Sequence, residues 1–335
     1  MLIADNGPWD KQNVLYISLS LGFNYFRGDE FMKLKNVIKN NKGTTMVVYV
    51  VAISVLIGCA SISVDIGHIM LEKAELTKAV DAAALAGAQE FANNEGNPYR
   101  VACDYLEKNG VSPDEADITI LEDGISILAN REVNYFFARI LGFDKGEVEA
   151  AAVARALPVI SVDGGVRPFA IEDQPLLYGE RYVLKEGGGD GSNGNYGCLA
   201  LGGNGASNYR YNILYGYDGE LEVGDYVNTE PGNMSNPTKS SIDTLIRQCN
   251  HAPECTIHSY DPDCPKIVTV VIVEDMDVNG RGPVRICGFA SFLIEEVEGQ
   301  GNKCQLTGYF IQNVAQGELS EGQTDYGLKG VKLIR

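Results

Sequence analysis

No charged side chain occurs anywhere between residues 43 and 64, and the whole chain holds only three histidines, one tryptophan and no C-x2-C pair. Gly-x-Ser-x-Gly and His-Glu-x-x-His are also missing, which excludes a nucleophile elbow and a zincin helix. Glycines at 186–197 ("EGGGDGSNGNYG") lack a following Gly-Lys-Ser/Thr, so a phosphate-cradling loop is excluded as well. Glu295 and Glu296 are adjacent on an expected strand and point to opposite faces, which prevents them from acting as a carboxylate pair. The sequence therefore predicts no catalytic residues, no enzyme activity and no cofactor. Positive charge is scarce too: 27 Lys and Arg stand against 45 Asp and Glu. The first 42 residues hold six basic and four acidic groups, so of the net −18 they carry +2 and the remainder about −20. Such a surface repels nucleic acid and anionic headgroups.

The uncharged run is 22 residues long. As a helix rising about 1.5 Å per residue it crosses a hydrocarbon core of about 30 Å. A secretory signal has an apolar region of about 7–15 residues, so the length favours an anchor; Gly58, Cys59, Ala60 and Ser61 at its exit keep cleavage as the alternative. Lys33, Lys35, Lys39 and Lys42 precede the run, and Asp65, Glu72 and Glu75 follow it. That asymmetry predicts a cytoplasmic N-terminus and an extracytoplasmic remainder. Residues 1–31 read as neither signal nor domain. Met32 directly precedes the basic cluster and follows Arg27, Gly28, Asp29 and Glu30, whose purine-rich codons resemble a ribosome-binding site, so Met32 is the expected native start.

Beyond the run, "DIGHIMLEKAELTKAVDAAALAGAQEFA" is rich in helix formers and extends the helix to about 45 residues, near 70 Å. Ala79, Ala82, Ala83, Ala86 and Gly87 form a stripe of small residues for helix packing, either on a neighbouring subunit or on the chain's own head. "NNEGNP" ends it. A helix at 99–108, strands "ADITILED" and "GISILANRE" about Asp123 and Gly124, a short helix "VNYFFARILG" and a strand "EVEAAAVARALPV" make an αββαβ unit. Residues 158–167 read as a junction to a mainly β region with one helix near "SSIDTLIRQC". The expected fold is α+β: cytoplasmic 1–42, transmembrane 43–64, stalk and small module 65–157, mainly β domain 158–318, polar tail 319–335.

Six of eight cysteines (Cys198, Cys249, Cys255, Cys264, Cys287, Cys304) fall in the exported region and are the candidate disulfide partners, with 15 possible pairings. "CNHAPECTIHSYDPDC" gathers Cys249, His251, Cys255, His258 and Cys264. Its spacing matches no usual structural zinc pattern, so it reads as a surface loop with disulfides and no metal. "DMDVNG" at 275–280 copies the start of a calcium loop, but the twelfth position is Ile286 and the segment reads as a turn.

"KGTTMVVYVVAISVLIGCASISVDIGHIMLEKAELTKAVDAAALAGA" resembles the N-terminal domain of Tad-like (TadE/TadG-like) proteins of Flp pilus and tight-adherence systems. The likeness rests on Asp65, Gly67, Asp81, Ala82, Ala83, Ala84, Leu85 and Ala86; "NYFFARILGF" and "VEAAAVARA" extend it to about residue 157. "VRPFAI", "NILYGYDGELEVGDYVNTEPGNMSNPT" and "GFASFLIEEVEG" resemble the exported region of such proteins from Firmicutes. The resemblance implies a membrane-anchored, non-catalytic component of pilus assembly or adhesion, with the bilayer and other Tad-system proteins as partners. Cleavage after Gly43 would place Val48 where type IV prepilins carry Glu, which argues against prepilin processing. The alternative is an anchored module that binds metal or glycan through the Cys/His loop or through Asp275, Asp277 and Asn279.

Overall fold

A proline-free, alanine-rich stretch has nothing to break a helix, and the chain forms α1 over Thr44–Asn93. The computed structural model describes residues 44–93, 96–185, 197–232, 234–278 and 280–334. The expected start at Met32, the basic cluster, the cleavage point after Gly43, most of the glycine-rich loop at 186–197 and Asn279 lie outside the described residues. Two compact units divide the chain: Met1–Ile66 with Phe136–Leu141, and Gly67–Tyr135 with Gly142–Arg335.

In the first unit, the apolar side chains of α1 face outward; Met46, Leu56 and Ile57 are 60–74% exposed. The hydroxyls of Ser54, Ser61 and Ser63 donate to the carbonyls of Val50, Ile57 and Cys59 at 2.7–2.9 Å. These hydroxyls are thus satisfied within the helix.

In the second unit, Asn97 accepts the Arg100 amide and starts α2, Pro98–Lys108. A capping box of Ser112 and Glu115 closes a 3-10 turn, Pro113–Glu115, and leads into β1, Ala116–Ile120. β2, Gly124–Asn134, pairs antiparallel with β1 and, along its whole length, with β3, Lys145–Asp163. Gly124 is required at that hairpin, because a Cβ there would collide with the Ala154 carbonyl. The alternating Val148, Ala150, Ala152 and Ala154 of β3 join Ile125, Ile127 and Ala129 of β2 under Leu76, Ala79, Val80, Ala83, Ala84 and Ala88 of α1.

The chain continues through β4 (Val166–Glu172), β5 (Arg181–Lys185), β6 (Leu199–Ala200), α3 (Ala206–Tyr215), β7 (Glu220–Glu222), β8 (Tyr226–Thr229) and α4 (Ser235–Gln248). β9 (Ile267–Val273), β10 (Pro283–Glu298), β11 (Gln305–Ile311), β12 (Asn313–Val314), β13 (Glu318–Leu319) and β14 (Leu328–Ile334) complete it. One sheet runs β1-β2-β3-β14-β12, with β7 and β13 also on β3; the other runs β4-β9-β10-β11-β5, with β8 on β10 and β6 on β8. β9 alternates: Val268, Val270 and Ile272 face the cluster under α3 and α4, while Val271 and Val273 face a second cluster with Val159, Val162 and Leu221. On β10 a bulge between Ile286 and Gly288 switches the parity, so Ile286 and Phe289 share one face, and Ala290, Phe292 and Ile294 the other. The architecture is α+β, a long apolar helix followed by a mainly β region.

Two expectations are corrected. The apolar run "VNYFFARILG" is not a short α-helix: β2 continues to Asn134, and only Ala138–Leu141 turn, as a 3-10 helix. Residues 319–335 are not a loose tail, since β14 pairs with β3 from Lys329↔Pro158 to Ile334↔Val153, and Tyr326 is buried with its hydroxyl donating to Asp173 at 2.6 Å. At the expected junction, β3 runs unbroken from Lys145 to Asp163, with Val148, Ala150, Ala152 and Ala154 in the cluster under α1 and Val159 and Val162 in the cluster with Leu221.

Candidate functional site

Two places concentrate polar chemistry. The first is in the unit that holds the uncharged helix. Asp65 is the first charged residue after the run, yet only 5% exposed. A buried carboxylate needs donors, and three successive backbone amides supply them. Phe136 donates to Oδ1 at 2.7 Å, Ala138 to Oδ2 at 2.7 Å, and Phe137 is shared between the two oxygens at 3.2 and 3.1 Å. These amides begin the 3-10 turn, so Asp65 acts as a cap lent by another segment of the chain. The turn it holds is apolar and outward-facing: Phe136 is 60% exposed, Phe137 41%, Ile140 83% and Leu141 73%.

The second place is the connection between α4 and β9. Cys249 is the C-cap of α4, and Cys264 precedes β9 by three positions. Cys249, His251, Cys255 and Cys264 bring their four donor atoms within 4.8 Å of one another. His251 Nδ1 lies 3.7 Å from Cys249 Sγ and 3.4 Å from Cys255 Sγ, while its Nε2 faces Asp261 Oδ2 at 3.5 Å. The Asp261 amide donates to Cys255 Sγ at 3.4 Å, and the buried Lys266 ammonium donates to the Cys255 carbonyl at 2.8 Å. Burial opposes ionisation of Cys249. The Cys255 amide, the His251 ring and amide and the Cys264 thiol outweigh it and pull Cys249 down to about 6. Cys264 is pushed up to about 12, first by burial and then by its two neighbouring thiols, against the Lys266 amide. Cys198 and Cys304 are buried in the core under α3 and α4, and Cys287 is half-buried on β10.

Residues 43–90 match the family model described as putative Flp pilus-assembly TadE/G-like. No curated protein and no solved structure matches the chain. The Tad-like segment contains the whole uncharged run, Asp65 and the small-residue stripe. Of that stripe, Ala79, Ala83 and Gly87 are buried on the chain's own β2 and β3; a Cβ on Gly87 would lie 2.9 Å from Ile125 Cδ1. Ala82 and Ala86 are half-buried and line a groove with Leu85, Gln89 and Val331. Gly67 meets nothing within 4 Å, and nothing in the structure explains a glycine there.

His258 is not part of the cysteine cluster, although it lies in the same stretch of sequence. Asp275 accepts the Asp277 amide at 2.7 Å in a tight turn, consistent with reading "DMDVNG" as a turn. The Asp65 clamp was not legible from sequence, because its partners lie more than 70 positions away. An acid directly after the uncharged run was the available signal.

Proposed function

We propose that the protein is a single-pass, membrane-anchored, non-catalytic component of a Tad-type pilus-assembly or surface-adhesion system. The observation that carries this reading is the match of residues 43–90 to the TadE/G-like family on a helix whose apolar side chains between Met46 and Val64 are exposed. Among the described residues, one helix is long and apolar enough to cross a membrane. Lysines before the run and acids after it support a cytoplasmic N-terminus and an extracytoplasmic head. Asp65 fixes Phe136, Phe137, Ile140 and Leu141 at the end of the uncharged run, and these side chains rest in the bilayer interface beside the helix.

Much of the alanine stripe is covered by the chain's own sheet. Contacts with other Tad-system proteins therefore fall to residues 44–64 and to the groove along Ala82, Leu85 and Ala86. The acidic head supplies recognition. The test is to shear surface filaments from native cells and follow a C-terminal epitope, with intact mass, in sheared and membrane fractions. Recovery with filaments identifies a filament subunit, retention with the full span in the membrane identifies an anchor, and recovery as a soluble cytoplasmic protein overturns the reading.

A further inference from the structure

We infer that Cys249, His251, Cys255 and Cys264 form a structural zinc centre that fastens the α4–β9 connection. Thiolate and imidazole are the donors zinc prefers, and three sulfurs with one nitrogen complete its tetrahedron. With zinc–sulfur bonds of about 2.3 Å and a zinc–nitrogen bond of about 2.0 Å, sulfur–nitrogen edges of such a tetrahedron are about 3.5 Å. The two sulfur–nitrogen separations, 3.7 and 3.4 Å, bracket that edge. A disulfide would use two of the three thiols and leave the third, with the imidazole, in a pocket where Cys255 and Cys264 are both buried.

The surroundings match those of a metal-bound histidine. Asp261 takes the Nε2 side of His251 and so turns the Nδ1 lone pair toward the sulfurs. The same residue's amide points at Cys255 Sγ, and the Cys264 amide donates to its carbonyl at 3.0 Å. One Zn2+ ion held by three thiolates and a neutral imidazole makes a site of net charge −1, and binding releases whatever protons the thiols still carry. All four positions are filled by protein, so the centre holds structure and offers no open site for catalysis. Residues 249–266 contain only an isolated bridge between Thr256 and Ser259, and a long connection of that kind gains order from a cross-link. This inference stands apart from the anchoring role, and either can fail alone.

The experiment uses the full-length protein purified in detergent without chelator. Metal content is measured as isolated and after zinc sulfate is added under reducing conditions. One zinc per chain is expected in the wild type and in Cys287→Ser, and loss of zinc in Cys255→Ser and His251→Ala. Asp261→Asn keeps all four ligands and should weaken zinc binding about 10–100-fold. Because the ligand variants can misfold, X-ray absorption at the zinc edge of the wild type is the second readout, with three sulfurs and one nitrogen expected. A wild type that holds no zinc in either condition, a different ligand set, or a disulfide among Cys249, Cys255 and Cys264 in protein from native cells would overturn the inference.

Discussion

Oδ2 of Asp65 accepts the backbone amide of Ala138 at 2.7 Å, across 73 positions of sequence. One carboxylate at the end of the uncharged run of α1 thereby holds the start of an apolar turn in place. Asp65→Ala removes the acceptor for three amides and should destabilise the protein by about 1–3 kcal/mol, with Asp65→Asn less harmful because it keeps one carbonyl. Hydrogen exchange at residues 136–138 in detergent checks this. Unchanged protection in Asp65→Ala would rule out the clamp.

Ile140 and Leu141 are the most exposed apolar side chains of that turn. If they rest in the bilayer interface, a tryptophan at 140 in a Trp9→Phe background should be quenched by brominated lipid. Quenching only by an aqueous quencher would place the turn in water.

Gly87 packs on Ile125 of β2, and a Cβ added to it would also lie 3.2 Å from the Pro98 carbonyl oxygen. Gly87→Leu should therefore cost about 1–3 kcal/mol in the isolated protein by overpacking. Thermal unfolding measures it. If the variant were as stable as wild type and defective only in assembly, that face would belong to a neighbouring subunit.

Much of this was readable from local pattern. The helix follows from an uncharged run joined to alanine-rich sequence, and the β1–β2 hairpin from two apolar runs about Asp123 and Gly124. β9 and β10 follow from apolar strings around a polar turn. What was not readable depends on residues far apart or on pattern that imitates something else. "NYFFARIL" has the apolar density of a helix, but its amides are drawn to Asp65. "LKGVKLI" looks like a polar tail, yet it pairs residue by residue with β3. The zinc-like cluster escapes a spacing rule because its ligands come from a helix end and an irregular loop, and because His251 rather than His258 is the one brought in.

Arg131 joins three elements: it donates to Glu115 at 2.9 Å, to the Gly110 carbonyl at 2.8 Å and to Glu72 at 3.4 Å. Its hydrogen bond holds the Glu115 carboxyl below its ordinary value against the opposing effect of burial, and the Ser112 amide helps. A lowered carboxyl stabilises the fold above its unfolded value of 4.5, and that contribution is lost as pH falls through the lower folded value. Arg131→Met should remove this acid dependence and destabilise by about 1–3 kcal/mol. Unfolding followed from neutral pH into acid tests it; an unchanged acid limb would show that the pair contributes nothing.

Protease shaving of intact cells tests most directly whether one helix holds the head outside the membrane. With epitopes at both ends of the full-length protein, external protease should remove the C-terminal epitope while the N-terminal one stays in the membrane pellet after alkaline extraction. A C-terminal epitope protected until the cells are broken, or an N-terminal epitope released by alkali, would contradict the account.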